Sequence, residues 1–413
     1  MPLLLAVFLA ATLLWEAASL WLLRRQAGSA LRHRGAVPSD FAATVTPEEH
    51  ARAADYTVAR TRLAAAGSLL GLAVTLVWVL GGIDLLAGAV DRLVAAPLAR
   101  DEALVAAMTV IGSAVGLPLR AYGTLVVEQR FGFNRATPRL LVADTLRAAA
   151  LGAAIGLPLL AALFWVMRHA TGLWWLWAWG GTVALMLAAP TLYTRLVAPL
   201  FNRFEPLSDP VLAARIEALL ARCGFHSSGL FTMDASRRSS HGNAFFTGFG
   251  RTKRIVLFDT LLASQTPDEV EAVVAHELGH FRHRHVLFGM LRSAAVLLAG
   301  FAAIGWLCRQ PWLTAGFGFV HHGEATALIA ANFLVGLASP VLGIASNALS
   351  RRHEFQADDY ARRQVGAAPM ISALTRLSRD NAGTLTPDPL YALVNYGHPP
   401  VPVRVAHLRA AGA

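Results

Sequence analysis

The segment "TPDEVEAVVAHELGHFRHRH" (266–285) carries the residues best suited to chemistry. His276 and His280 stand four apart, about one helical turn. Both imidazoles then share a face and can bind one Zn²⁺. Glu277 is the next residue round and can reach a water on that metal. Zinc lowers the pKa of such a water toward about 7. The carboxylate then takes a proton as the water attacks a carbonyl, and can later deliver it to the leaving amine. The competing reading of so short a pattern is two histidines on a solvated helix face. Val273, Val274, Ala275, Leu278 and Gly279 are all uncharged, unlike a basic solvent face.

A third protein ligand is needed. His283 lies seven residues beyond His276 and shares its face. It also lies about 10 Å further along the axis, too far for the same zinc unless the helix breaks. His283 and His285 therefore read as headgroup-facing or supporting residues. Glu354, in "SRRHEFQADDYA" (350–361), is the better candidate. Glu354 and Asp358 are again four apart. One carboxylate can bind the metal while the other accepts the free N–H of a ligating histidine and fixes its tautomer. Taken alone, with Arg351, Arg352 and Asp359 beside it, this stretch would read equally well as a solvated charged face.

These residues need a scaffold. Thr266 and Glu269 form a capping box and Pro267 suits the first helical position, so a helix starts near Thr266 and runs through the motif. Upstream, 209–222 reads as an amphipathic helix and 229–259 as strands, with Leu230, Thr232 and Asp234 alternating against Phe231 and Met233.

The rest of the chain is built for lipid. Over 413 residues the mean hydropathy is +0.49, and charged residues make up 15%, well below the roughly 25% of soluble proteins. Seven stretches are long and apolar enough to cross a bilayer: 2–23, 63–83, 104–126, 147–167, 173–194, 286–308 and 325–347. No Lys or Arg precedes the first, and Arg24 and Arg25 follow it, the reverse of a secretory signal. Pro118 and Arg120 interrupt the third. Trp174, Trp175, Trp177 and Trp179 open the fifth as an interfacial belt.

Lys and Arg between spans number seven, two, three, one, eleven and one, with eight in the tail. That alternation puts the first, third and fifth loops and the C-terminus inside, and the N-terminus outside. The formal charge of +10 is explained by this topology, not by nucleic acid. Every basic residue but Lys253 is Arg and the spans are Ala-rich, as in a high-GC bacterium, so the expected location is a bacterial inner membrane. Cys223 and Cys308 imply neither a disulfide framework nor a cysteine metal site. Two regions are expected: a transmembrane region of five spans at 1–194, and a zinc peptidase domain at 195–413 containing the last two spans.

Several motifs in order resemble the integral-membrane type I CAAX prenyl endopeptidases. They are "EQRFGFNRATPR" (128–139), "SSHGNAFFTGFGRTKRIVLFDTLL" (239–262), "VAHELGHFRHRH" (274–285), "RRHEFQADDYA" (351–361) and "NYGHPPVPVRVAHL" (395–408). The resemblance implies a mostly α polytopic fold. Seven long helices would enclose a water-filled chamber, joined to a gluzincin-like domain with a small β-sheet. It implies one zinc ion on His276, His280 and Glu354 near the cytoplasmic side, with Glu277 as the catalytic carboxylate. Asp358 matches the acidic residue that supports the site, sometimes assigned as a proton donor. His398 matches a histidine near the zinc, suited to a developing oxyanion. Asn243 and Ala244 match a strand that pairs with the peptide, and Arg404 also points toward the site.

The implied partners are a peptide or membrane-protein substrate, lipidated or otherwise membrane-associated, and the bilayer itself. A monomer is expected. A broad quality-control protease and a non-catalytic scaffold or chaperone are the rival readings. The shorter, fewer-span pattern of stress-type relatives and the complete catalytic set here weigh against them.

Overall fold

The structure, a computed structural model, describes residues 1–170, 172–247 and 254–410, apart from the side chain of Arg195. Long apolar helices dominate: α1 (Leu3–Arg32), α2 (Pro47–Val77), α3 (Pro97–Tyr122), α4 (Pro138–His169) and α5 (Trp174–Leu192). After α6 (Pro210–Arg222) come α7 (Pro267–Arg282), α8 (His285–Leu307), α9 (Glu324–Gly336) and α10 (Ser339–Val365). The chain closes with α11 (Ala367–Asp380) and α12 (Val401–Ala410).

Among the described residues, six helical stretches are long and apolar enough to cross a membrane, the second of them kinked at Leu80–Gly81, where Gly81 takes φ 129°. The expected span at 325–347 is instead a pair, α9 and α10, bent by 49°. Pro340 sits in the first turn of α10 and has no N–H to continue the α9 ladder. The third span behaves in the opposite way. Pro118 lies inside α3 without ending it, and the chain runs on through a π-turn at Gly123–Glu128. The second begins well before its apolar stretch, because Thr46 and Glu49 form a capping box like that at Thr266. In the most apolar part of each of these six stretches at most 11% of residues are buried. A solid bundle would bury a full stripe of each helix. These helices form a thin wall instead.

The strands are β1 (Phe204–Pro206), β2 (Leu230–Met233), β3 (Ala244–Thr247) and β4 (Arg254–Phe258). They form one sheet in the order β1-β2-β4-β3, with only β2 and β4 parallel. The expected alternation runs through β2. Asp234 falls just beyond it, where its carboxylate accepts the Arg203 N–H at 2.7 Å. One sheet face, with Leu230, Ile255 and Leu257, packs on Val270, Val274 and Leu278 of α7. Ile216, Leu219 and Leu220 of α6 and Leu374 of α11 complete that core. This anchors the motif helix on its outer side.

Candidate metal centre and its surroundings

Helix α7 starts where its capping signals place it. Thr266 N–H donates to Glu269 Oε2 at 2.7 Å, and Glu269 N–H donates back to Thr266 Oγ1 at 3.4 Å. From that start, His276, Glu277 and His280 fall on the side toward α10. What sets the separation of the two helices is Gly279. A Cβ there would stand 2.8 Å from the Cα of Ala357, closer than backbone permits. Gly279→Ala is therefore expected to force α7 and α10 apart. It should cost about 1–3 kcal/mol of stability and weaken zinc binding with it. Thermal melting in detergent and chelator competition check this; a variant matching the parent in both would remove Gly279 from the account.

Across that contact the ligand atoms converge. His276 Nε2 and His280 Nε2 are 3.3 Å apart. Each lies 3.4 Å from an oxygen of Glu354, Oε2 and Oε1 respectively. One donor atom from each of the three falls within 4.8 Å of the others, the only such group of His, Cys, Asp or Glu among the described residues. Glu354 is buried, and its Oε2, although 3.3 Å from Arg404 Nη1, accepts no aligned hydrogen bond among the described residues. Two imidazole lone pairs and a carboxylate facing one another in a buried site are costly without a cation. The donor set thus fits a zinc ion, which takes nitrogen and carboxylate ligands readily.

The outer atoms of both histidines are held. His276 Nδ1 lies 2.9 Å from Asp358 Oδ1, so the proton belongs on Nδ1 and the lone pair on Nε2. His280 Nδ1 lies 3.0 Å from His285 Nδ1, and His285 Nε2 lies 2.8 Å from Gln356 Oε1. A donor to that amide oxygen fixes the His285 tautomer. Its Nδ1 then accepts from His280, again leaving Nε2 of His280 free. The contact exists because the helix breaks. Arg284 adopts a left-handed conformation, φ 56°, between α7 and α8, and turns His285 back onto His280. His283 caps α7 and stands outside the three-residue group.

Other anticipated residues gather here on different terms. Asp358 is fully buried, and Arg404 grips it through Nε at 2.8 Å and Nη2 at 2.6 Å. Arg404 Nη1 also lies 3.3 Å from Glu354 Oε2. The Arg404 side chain is 9% exposed, so its guanidinium faces the two carboxylates rather than open space. His398 is the reverse: its side chain is 73% exposed, with Nε2 3.4 Å from Glu354 Oε1. It borders the centre yet remains open to a substrate. Glu277 is half-buried. Burial raises its carboxyl above the usual range, outweighing the pull of His276 and His280.

Asn243 and Ala244 lie at the start of β3, the edge strand on the α7 side of the sheet. Phe246 of β3 meets Phe281 of α7 with ring centroids 5.3 Å apart. The Asn243 carbonyl accepts from Phe258 N–H at 3.1 Å, so in an antiparallel ladder the Ala244 N–H faces the open edge. The Asn243 side chain occupies that N–H at 2.8 Å. The 248–253 part of the strand motif lies outside the described residues. Nothing in the sequence pattern marks Gln356 or Gly279 as a site residue. Gln356 had no periodic signal of its own, and the requirement on Gly279 comes from a helix seventy-odd residues away.

An HExxH helix joined directly to membrane-crossing helices, with a convergent His–His–Glu set, defines a membrane-embedded metallopeptidase. The comparisons agree. Residues 26–203 match the family described as CAAX prenyl protease N-terminal, five membrane helices, and residues 206–411 match peptidase family M48. The chain is 34% identical over 311 residues to the CAAX prenyl protease 1 homolog of Oryza sativa subsp. japonica, covering 75% of this chain and 73% of that one. It is 34% identical over 316 residues to CAAX prenyl protease 1 of Saccharomyces cerevisiae, covering 72% and 69%. The crystal structure of S. mikatae Ste24p superposes with a TM-score of 0.91 at 28% identity, over 99% of this chain and 100% of that one. The chain belongs to the type I CAAX prenyl protease family of multi-pass membrane zinc metalloproteases.

Proposed function

We propose that this protease cleaves peptide bonds near the C-terminus of membrane-associated or lipidated CAAX-type substrates, with His276, His280 and Glu354 holding one zinc ion. The convergence of their donor atoms within 4.8 Å carries the reading. Zinc bound there supplies Lewis-acid polarisation and activation of water. Glu277 takes the proton of the attacking water on its carboxylate and returns it to the leaving amine. His398, open to the substrate, donates to the developing oxyanion.

Asp358 and Arg404 act through the ligands. Asp358 holds the His276 tautomer, and Arg404 holds Asp358 and balances the charge of Glu354. This assigns Arg404 to positioning instead of substrate binding, and Asp358 to support instead of proton donation, because neither side chain is open to a substrate. An extended peptide adds to β3 as a further strand, displacing the Asn243 side chain from the Ala244 N–H.

The peptidase unit spans 195–413, behind a membrane region at 1–194, and works as a monomer. The charge alternation supports a cytoplasmic-facing site in a bacterial inner membrane, with the N-terminus on the other side. Glu354→Ala tests the centre. Elemental analysis should find zinc well below one ion per chain. Full metal content in that variant would move the third ligand elsewhere.

A further inference from the structure

The motif "EQRFGFN" (128–134) has no part in the metal centre, yet it reaches the residues that lead into β3. His241 stands two residues before Asn243. Its ring stacks on Phe133 with centroids 4.3 Å apart and planes 21° apart. Its Nδ1 lies 3.1 Å from Asn381 Oδ1 and its Nε2 lies 3.4 Å from Glu128 Oε2. Gly242 N–H donates to the same Asn381 oxygen at 3.2 Å, and the Asn381 amide donates to Gly242 O at 3.5 Å. The His241 carbonyl accepts from Thr260 Oγ1 at 2.9 Å.

Glu128 is itself held. The Tyr56 hydroxyl lies 2.8 and 3.0 Å from its two oxygens, and Arg60 Nη1 lies 3.5 Å from Oε1. Tyr56 and Arg60 belong to α2, Glu128 ends the π-turn after α3, and Asn381 directly follows α11. Three separate parts of the molecule thus converge on two residues next to the edge strand. So many polar contacts are more than a surface loop needs to connect two elements.

We infer that Glu128, His241 and Asn381 form a clamp that sets the position of β3 along its own axis, and with it which bond of an added peptide meets the metal centre. The inference rests on strand addition at β3. A strand advances about 3.3 Å per residue, and side chains alternate between faces. A slip of one residue therefore presents a different bond and the wrong side chains. The clamp ties that register to the membrane wall through Glu128 and to the peptidase unit through Asn381. These are positioning residues. None of them touches the zinc ligands.

The test uses the full-length, zinc-loaded protein in detergent with two fluorogenic CAAX-type peptides. One extends N-terminally far enough to lie along β3; the other is trimmed to the residues beside the cleaved bond. For His241→Ala, kcat/KM on the long peptide should fall roughly tenfold to a hundredfold, mostly through KM. Mass spectrometry should find products cut one or two residues away from the parental position. The trimmed peptide should change by less than about twofold, with zinc content as in the parent, since misplacement costs only what must be aligned. His241→Gln, which retains one donor, should recover part of the loss. Glu128→Gln keeps shape and packing and serves as the second variant should His241→Ala fail to fold.

Equal losses on both peptides would make the contacts merely structural and overturn the clamp. A long-peptide KM and cleavage position unchanged in both variants would overturn it too. Ala244→Pro separates the two levels, because it removes the N–H at the open edge. If that variant still cleaves the long peptide at the parental rate and position, strand addition itself is wrong and the clamp falls with it.

Discussion

Glu277→Gln keeps its zinc and loses peptide hydrolysis by roughly 10²–10⁴-fold, the contribution of a positioned general base. The substitution is nearly isosteric, and Glu277 is not among the three convergent donors, so metal content should stay at the parental level. What disappears is the only carboxylate on the ligand-bearing face of α7 that can take the proton of the attacking water. Glu354 and Asp358 cannot substitute: one faces both imidazoles, and the other is fully buried between His276 and Arg404. Single-turnover hydrolysis and elemental analysis on one preparation check both halves. Turnover within tenfold of the parent would remove Glu277 from the mechanism.

Arg404→Met is expected to have the largest effect on stability. Its guanidinium lies between Asp358 and Glu354, at 2.6 Å from one and 3.3 Å from the other, and all three side chains are buried. Burial disfavours the charge on Arg404, but the hydrogen bonds to Asp358 and the field of the carboxylates keep it protonated. Removing one partner of such a pair costs about 3–5 kcal/mol, because the remaining charge stays buried without compensation. Loss of a residue that supports a ligand also weakens metal binding, by roughly 10–100-fold. Thermal melting in detergent and zinc competition measure the two effects. Adding Asp358→Asn should return part of the stability, because it removes the stranded charge. Parental melting and zinc affinity in Arg404→Met would show that the pair holds nothing.

Much of this site can be read in the chain alone. Helix periodicity brings His276 and His280 together, and local capping at Thr266 starts that helix at the right place; both depend on residues within a few positions of each other. The Glu354–Asp358 spacing is equally local, although which carboxylate faces the metal is not. Apolar run lengths located the membrane helices but not the bend at Leu337–Ala338 or the π-turn after Tyr122. Composition says how much apolar chain there is; hydrogen-bond geometry at Pro340 and Gly123 decides how it continues.

What the amino-acid order determined by itself is the chemistry: an HExxH helix, a second helix with two carboxylates one turn apart, and lipid as the solvent for most of the chain. What only the tertiary structure decided is how that chemistry is held. The approach of α7 to α10 depends on Gly279 meeting Ala357. The turning of His285 onto His280 depends on one left-handed residue. The inward aim of Arg404 depends on two buried carboxylates. Each of these is a contact between segments whose separation in sequence carries no periodic signal, so packing and the cost of burying charge had to settle them.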